Sequence, residues 1–187
     1  MAAPKILAFS GSSRRESLNR KFLAIAVAEA RAAGGEVTLI SLADYPLPLY
    51  QGDLEDAEGM PAPAKALVQL IRGHAALLIA SPEYNSLITP LLKNTLDWCS
   101  REDENPFVGK VAAVITASPG PFGGSKSGLA ARQLLGRLGC LLLAKECALP
   151  HAGEGFDEQG RLKSERTLAT VRGVTAELVR LTARLSA

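Results

Sequence analysis

Five short apolar runs, each separated from the next by a longer segment, restrict the possible fold more than any other feature of the chain. They cover residues 5–10, 36–41, 75–80, 110–117 and 140–144. Between and after them, apolar residues recur at three- and four-residue intervals from Ser17 or Asn19 to residue 33, then over 64–74, 90–101, 125–138 and 163–185. Gly34-Gly35 ends the first helical stretch and Gly139 the fourth. The third run, Ala-Ala-Leu-Leu-Ile-Ala, has no polar position, as a strand covered on both faces requires.

Strands that alternate with helices form an open parallel sheet with right-handed crossovers and helices on both faces. For 187 residues the expectation is a single α/β domain over residues 1–187, a flavodoxin-like three-layer sandwich with five parallel strands in the order 2-1-3-4-5. Residues 43–63, with four prolines and several acidic residues, show no periodicity and read as a surface loop with at most one short helical turn. A Gly-rich, charged loop over 150–160 precedes the last helix. In such a sheet, ligands bind beyond the carboxyl ends of the strands, at the switch point between strands 1 and 3. That directs attention to loops 11–19, 82–90 and 118–128.

Composition excludes several classes. The chain is 47% hydrophobic and 21% charged, with 21 Lys and Arg against 19 Asp and Glu, a net charge of +2 without a basic stripe. Nucleic acid is therefore not an expected partner. Only 5% of residues are aromatic, too few for a base-stacking surface. No uncharged apolar run approaches the ~20 residues that span a bilayer. The first residues lack a secretory pattern, so a cytoplasmic location is expected. Cys99, Cys140 and Cys147 have neither zinc nor Cys-x-x-Cys spacing, and with two histidines no metal centre is expected.

Loop 11–19 reads Gly-Ser-Ser-Arg-Arg-Glu-Ser-Leu-Asn and joins a strand to a helix. It places hydroxyls, free amides and arginines at a helix N-terminus, which is an anion site. It matches neither Gly-x-Gly-x-x-Gly nor a Walker loop, so a terminal monophosphate held by Ser12, Ser17, Asn19 and one arginine fits better. An alternative is that Ser17 or Asn19 simply caps the helix and the arginines are solvated.

Loop 82–90 begins Pro82-Glu83-Tyr84-Asn85 directly after the most apolar run, and Leu91-Leu92-Lys93-Asn94-Thr95-Leu96-Asp97-Trp98 follows. Gly-Ser-x-Arg-x-x-Ser-x-Asn after the first strand, together with Pro-Glu-Tyr-Asn and Leu-Lys-Asn-x-x-Asp-Trp after the third, resembles the NAD(P)H-dependent FMN reductase family. That family includes flavin, quinone, azo and chromate reductases. The resemblance implies a flavodoxin-like fold, noncovalent FMN, NADPH or NADH as co-substrate, and homodimers or homotetramers. It places the FMN phosphate on Ser12, Arg14, Ser17 and Asn19, the isoalloxazine edge on Pro82, Glu83, Tyr84 and Asn85, and further flavin contacts on Ser118, Gly120 and Gly123. Members often carry Gly or an aromatic residue just after the position of Asn85, whereas this chain has Ser86-Leu87-Ile88-Thr89-Pro90. The substrate side is therefore not inherited from any one member.

Loop 118–125, Ser-Pro-Gly-Pro-Phe-Gly-Gly-Ser, has the small residues that let backbone approach a ring, though an ordinary strand-to-helix turn has the same composition. A flavin carries its own electron chemistry, so no catalytic side chain is assigned. Tyr84 either leans on the ring or nicotinamide, or packs. Trp98 is either a core residue or an anchor of the dimer interface. His74 and His151 read as surface or capping residues, and Cys140 as a buried strand residue.

The resemblance implies hydride transfer from NAD(P)H to bound FMN, then reduction of a second acceptor in a ping-pong scheme. The acceptor is free flavin, a quinone, an azo compound or a metal oxyanion. The alternative is a flavodoxin-type electron carrier without nicotinamide chemistry. Carriers usually present a strongly acidic face, which a chain at +2 with an isoelectric point near 8.5 does not offer. A noncatalytic fold relative has no positive support in the sequence.

Overall fold

The computed structural model describes residues 2–185. The elements run β1 (Lys5–Ser10), α1 (Leu18–Ala32), β2 (Glu36–Leu39), α2 (Gly52–Glu58), α3 (Ala62–Arg72), β3 (Ala76–Ala80), α4 (Pro90–Cys99), β4 (Val111–Ala117), α5 (Ser125–Arg137), β5 (Leu141–Leu142), β6 (Cys147–Leu149) and α6 (Glu165–Leu185). All strand pairs are parallel and the order is β2-β1-β3-β4-β5, with β6 also on β4. The expected topology is present.

The alternation of side chains across each strand divides the core in two. Ile6, Ala8, Leu78, Ala113 and Ile115 face α1 and α6, while Leu7, Phe9, Leu77, Ile79 and Val114 face α3, α4 and α5. Every residue of β3 and β4 is buried, which explains why these runs are apolar but for Thr116. Among the described residues no helix is long and apolar enough to cross a membrane.

Two segments differ from the sequence reading. The fifth strand, expected over 140–144, is split: β5 pairs with Val111 and Ala112, and β6 with Ile115 to Ala117. The four residues 143–146 bridge what Ala113 and Val114 span on β4, so the chain bulges outward. Lys145 and Glu146 sit on that bulge and pair with Glu177 of α6 at 3.3 Å and Arg132 of α5 at 3.0 Å. These charges end the apolar run and hide its continuation. The second difference lies in segment 43–63, which contains α2 and the start of α3, besides a 3-10 turn at Leu42–Asp44 on its edge. Helix α2 buries no residue, so it carries no apolar stripe to be read.

Trp98 belongs to the core. It is fully buried, its Nε1 donates to the Pro48 carbonyl at 2.8 Å, and its ring meets Tyr50 edge-on at 5.1 Å. Asn94 holds the same strap by donating to the Pro48 carbonyl and accepting from the Tyr50 amide. A side chain sealed in this way leaves nothing for a partner subunit to grip, so the anchor reading of Trp98 gives way to packing. His74 bridges elements, with Nδ1 at 2.6 Å from the Leu70 carbonyl and Nε2 at 2.8 Å from Thr38 Oγ1. His151 is exposed, as expected.

All three cysteines are free and buried. Burial raises the thiols of Cys99 and Cys140 to about 12 and that of Cys147 to about 11, so none forms thiolate near neutrality. An aromatic disulfide reagent at pH 8 is expected to titrate no thiol until denaturant is added. Trp98 is the sole tryptophan. Its emission is expected to be blue-shifted, shielded from acrylamide and unchanged on dilution to monomer. A red-shift on dilution would restore the interface role.

Candidate functional site

The loops after β1, β3 and β4 meet around one cleft of about 240 Å³. Of the residues singled out in the sequence, Ser12, Arg14, Ser17, Asn19, Pro82, Glu83, Tyr84 and Ser118 line it. Asn85, Gly120 and Gly123 do not. Glu16, Leu18, Ala117 and Pro119 line it as well, although no motif marked them.

Loop 1 gains its position from packing. A Cβ on Gly11 would stand 2.9 Å from Leu92 Cβ and 3.1 Å from Pro82 Cδ, so only glycine lets the loop pass this close to α4. Thr89 Oγ1 donates to the Gly11 carbonyl at 2.6 Å and accepts from the Leu92 amide at 3.2 Å, joining loop 1 to the start of α4. Ser17 caps α1, its Oγ accepting from the Arg20 amide at 3.4 Å. Among the described residues, the amides of Ser13, Arg15 and Glu16 find no protein acceptor. These amides, the Ser12 and Ser17 hydroxyls and the exposed Arg14 make an anion cradle at the N-terminus of a long helix.

Asn19 has a structural task beside the one expected. Its Nδ2 donates to the Ala117 carbonyl at 2.7 Å, and its Oδ1 accepts from the Ala117 amide at 3.0 Å. The buried carboxamide is thus committed to the end of β4, and Asn19 positions the cradle as a clamp.

Glu83 is likewise a scaffold residue. Helix α5 begins after Gly124, which sits in the left-handed region at φ 82° and has no side chain to cap the helix. Glu83 Oε2 accepts from the Ser127 amide at 3.1 Å and supplies that cap from the neighbouring loop. Ser127 Oγ donates to the Pro82 carbonyl at 2.8 Å and lies 2.6 Å from Ser81 Oγ. One hydroxyl carries one proton, so Ser81 is the donor in that second bond. No motif flagged Ser81, Thr89 or Ser127; only the Thr89-Pro90 start of α4 was visible as a cap followed by proline at N1.

The remaining predicted residues shape the rim. Tyr84 and Leu87 exchange two backbone bonds of 3.0 Å, closing a two-residue turn with Asn85 at φ 51° and Ser86 at φ 68°. Asn85 therefore sits at a turn tip, and Ser86 holds a positive φ that glycine would adopt without strain. Tyr84 is half-exposed and free to meet a ligand. Ser118 Oγ accepts from the Gly120 amide at 3.2 Å. Gly123 faces the protein: a Cβ there would lie 2.7 Å from Pro150 N, so its smallness serves packing against the end of β6.

Replacing Glu83 by Ala is expected to cost about 1 kcal/mol of stability in urea unfolding, with Gln retaining most of it. An unchanged midpoint in the alanine variant would remove the capping role.

Comparison with known proteins gives the family. Residues 4–154 match the model of the NADPH-dependent FMN reductase family. An NAD(P)H-dependent FMN reductase of Pseudomonas aeruginosa is 40% identical over 164 residues, covering 87% of this chain and 86% of the relative. A quinone reductase of Escherichia coli is 34% identical over 142 residues, covering 75% and 74%. Among solved structures, the flavoenzyme NAD(P)H:(acceptor) oxidoreductase FerB of Paracoccus denitrificans superposes with a TM-score of 0.82 at 26% identity, covering 97% of this chain and 98% of its own. Motifs, topology and relatives converge, and the chain belongs to the NADPH-dependent FMN reductase family, as an oxidoreductase that works with FMN and NAD(P)H.

Proposed function

We propose that the chain runs two half-reactions at this one cleft, with NAD(P)H leaving before a second acceptor of the quinone or free-flavin class enters. The chemistry that FMN supplies when bound is hydride acceptance at N5 and delivery of the electron pair onward. Azo compounds and metal oxyanions are further acceptors of the same kind.

The observation that carries the reading is the anion cradle beside loops whose side chains are turned to one another. Ser12, Ser17, Arg14 and the free amides of loop 1 would hold the phosphate. At about 240 Å³ the cleft is smaller than the ~300–1,000 Å³ that engulfs a whole ligand, so the ring would lie on the rim near Pro82, Tyr84 and Ser118. Backbone can approach the ring's polar edge there, because Glu83 and Asn19 are engaged elsewhere.

Among the ionisable side chains of the cleft, Glu16 is paired with Lys21 at 2.7 Å and Glu83 caps α5. Of the lining only the Tyr84 phenol is left unengaged as a proton donor, which fits a protein that mainly positions its ligands. Tyr84 and Phe122 are exposed beside an open face that donor and acceptor share in turn.

An apolar groove of about 460 Å³ between Leu87-Ile88 and Leu134 of α5, near exposed Leu129, is the face we assign to contact between copies in a homodimer or homotetramer. Buried, disulfide-free cysteines suit a cytoplasmic setting.

Anaerobic titration of the FMN-loaded protein with NADPH is expected to bleach the flavin absorbance before any acceptor is added. Steady-state rates at several quinone concentrations should give parallel double-reciprocal lines. Intersecting lines, or no bleaching without acceptor, would overturn the two-step scheme.

A further inference from the structure

A second cavity, of about 500 Å³, lies on the β2 side of loop 1. Ser12 lines both this cavity and the cleft, so only loop 1 separates them. Its size is that of a small-ligand site.

The lining combines three kinds of group. Arg15, Arg20 and Lys21 bring positive charge, against Asp44 as the one acid of the lining. Among the described residues Arg15 has no ion-pair partner, and the Arg20 guanidinium makes only a 3.4 Å bond to the Arg14 carbonyl; Lys21 is paired with Glu16. Leu39, at 47% exposure, and Ala24 form an apolar wall. The third group is Ser10, which lies in the lining and is 4% exposed. Its Oγ is the one buried side-chain oxygen without a partner among the described residues. A buried hydroxyl without a hydrogen bond is uncommon enough to call for a ligand or a water.

Free guanidinium groups select a phosphate, an apolar wall accepts a flat base, and a carboxylate accepts from an exocyclic amine or a sugar hydroxyl. We propose that this cavity binds the adenosine 2′-phosphate end of NADPH, with Arg15 and Arg20 on the phosphate, the adenine against Leu39 and Ala24, and Asp44 as an acceptor. The assignment rests on the reading that the nicotinamide works at the adjoining cleft. It makes loop 1 two-sided, holding the flavin phosphate on one flank and the donor's phosphate on the other. The consequence is preference for NADPH over NADH.

The test uses FMN-loaded protein and the double variant Arg15→Gln/Arg20→Gln, whose side chains are exposed in the fold. Calorimetric titration with adenosine 2′,5′-bisphosphate is expected to show binding to the parent that weakens about tenfold or more in the variant, while 5′-AMP binds both alike. In turnover, KM for NADPH should rise by a similar factor with kcat and KM for NADH little changed. Equal binding of the bisphosphate to both proteins, or none to the parent, overturns the proposal. Tighter binding of FAD than FMN by the stripped parent overturns it too, since the cavity would then belong to the adenylate half of a flavin. Bisphosphate binding that depends on both arginines, in a protein that oxidises neither nucleotide, upholds the cavity as an adenosine-phosphate site and overturns the two-step reading of the cleft instead.

Discussion

Two hydrogen bonds between one side chain and the backbone of one residue set the geometry on which the rest of the site depends. Asn19 donates to the carbonyl of Ala117 and accepts from its amide, out of reach of solvent. A carboxamide bonded at one end to the N–H and at the other to the C=O of the same residue fixes distance and orientation together. The first turn of α1 is thereby held against the last residue of β4, across the switch point of the sheet. Breaking the pair would leave a buried donor and acceptor unpaired, at about 1–3 kcal/mol each, so the clamp is costly to open.

Around this clamp the loops hold one another. Thr89 ties the start of α4 to Gly11, Ser81 and Ser127 tie the end of β3 to α5, and Glu83 reaches across to cap α5. Thr89, Ser127 and Glu83 each complete a backbone group that a loop would otherwise leave bare, and Ser81 holds the Ser127 hydroxyl in place. What remains facing the cleft is backbone, the hydroxyls of Ser12, Ser17 and Ser118, Arg14, Glu16 and Tyr84, with Leu18, Pro82 and Pro119 between them. A surface of that kind can hold a phosphate and a ring edge while presenting few groups that titrate.

The fold was legible because its signal is physical and repetitive. Strands covered on both faces must be apolar at nearly every position, and β3 and β4 are buried throughout with Thr116 as their one polar residue. Where burial is partial the signal fails. Helix α2 has no buried residue, and the split edge strand is interrupted by Lys145 and Glu146, which answer to neighbouring helices. At the site, residue type was legible and residue task was not. Asn19 and Glu83 have the chemistry of ligand-binding groups, yet tertiary partners 98 and 44 positions away engage them first. Local sequence carries no information about such partners. Trp98 is similar, since the strap that seals it comes from a proline-rich segment with no periodicity of its own.

Charge shows the same gap between chain and site. Across the whole sequence 21 cations meet 19 anions, which shows no net acidity but says nothing of any one location. Within positions 14–21 the balance is four cations, Arg14, Arg15, Arg20 and Lys21, against Glu16 alone. The chain turns from loop into helix there, so Arg14 faces the cleft while Arg15, Arg20 and Lys21 line the cavity on its other flank. The helix N-terminus adds its own positive end to both. A near-neutral protein thus concentrates its attraction for phosphates at one turn of backbone. On the proposed reading, that arrangement would draw anionic nucleotides to the mouth of the cleft, while the rim at Pro82, Tyr84 and Ser118 carries no fixed charge that an uncharged quinone would have to desolvate.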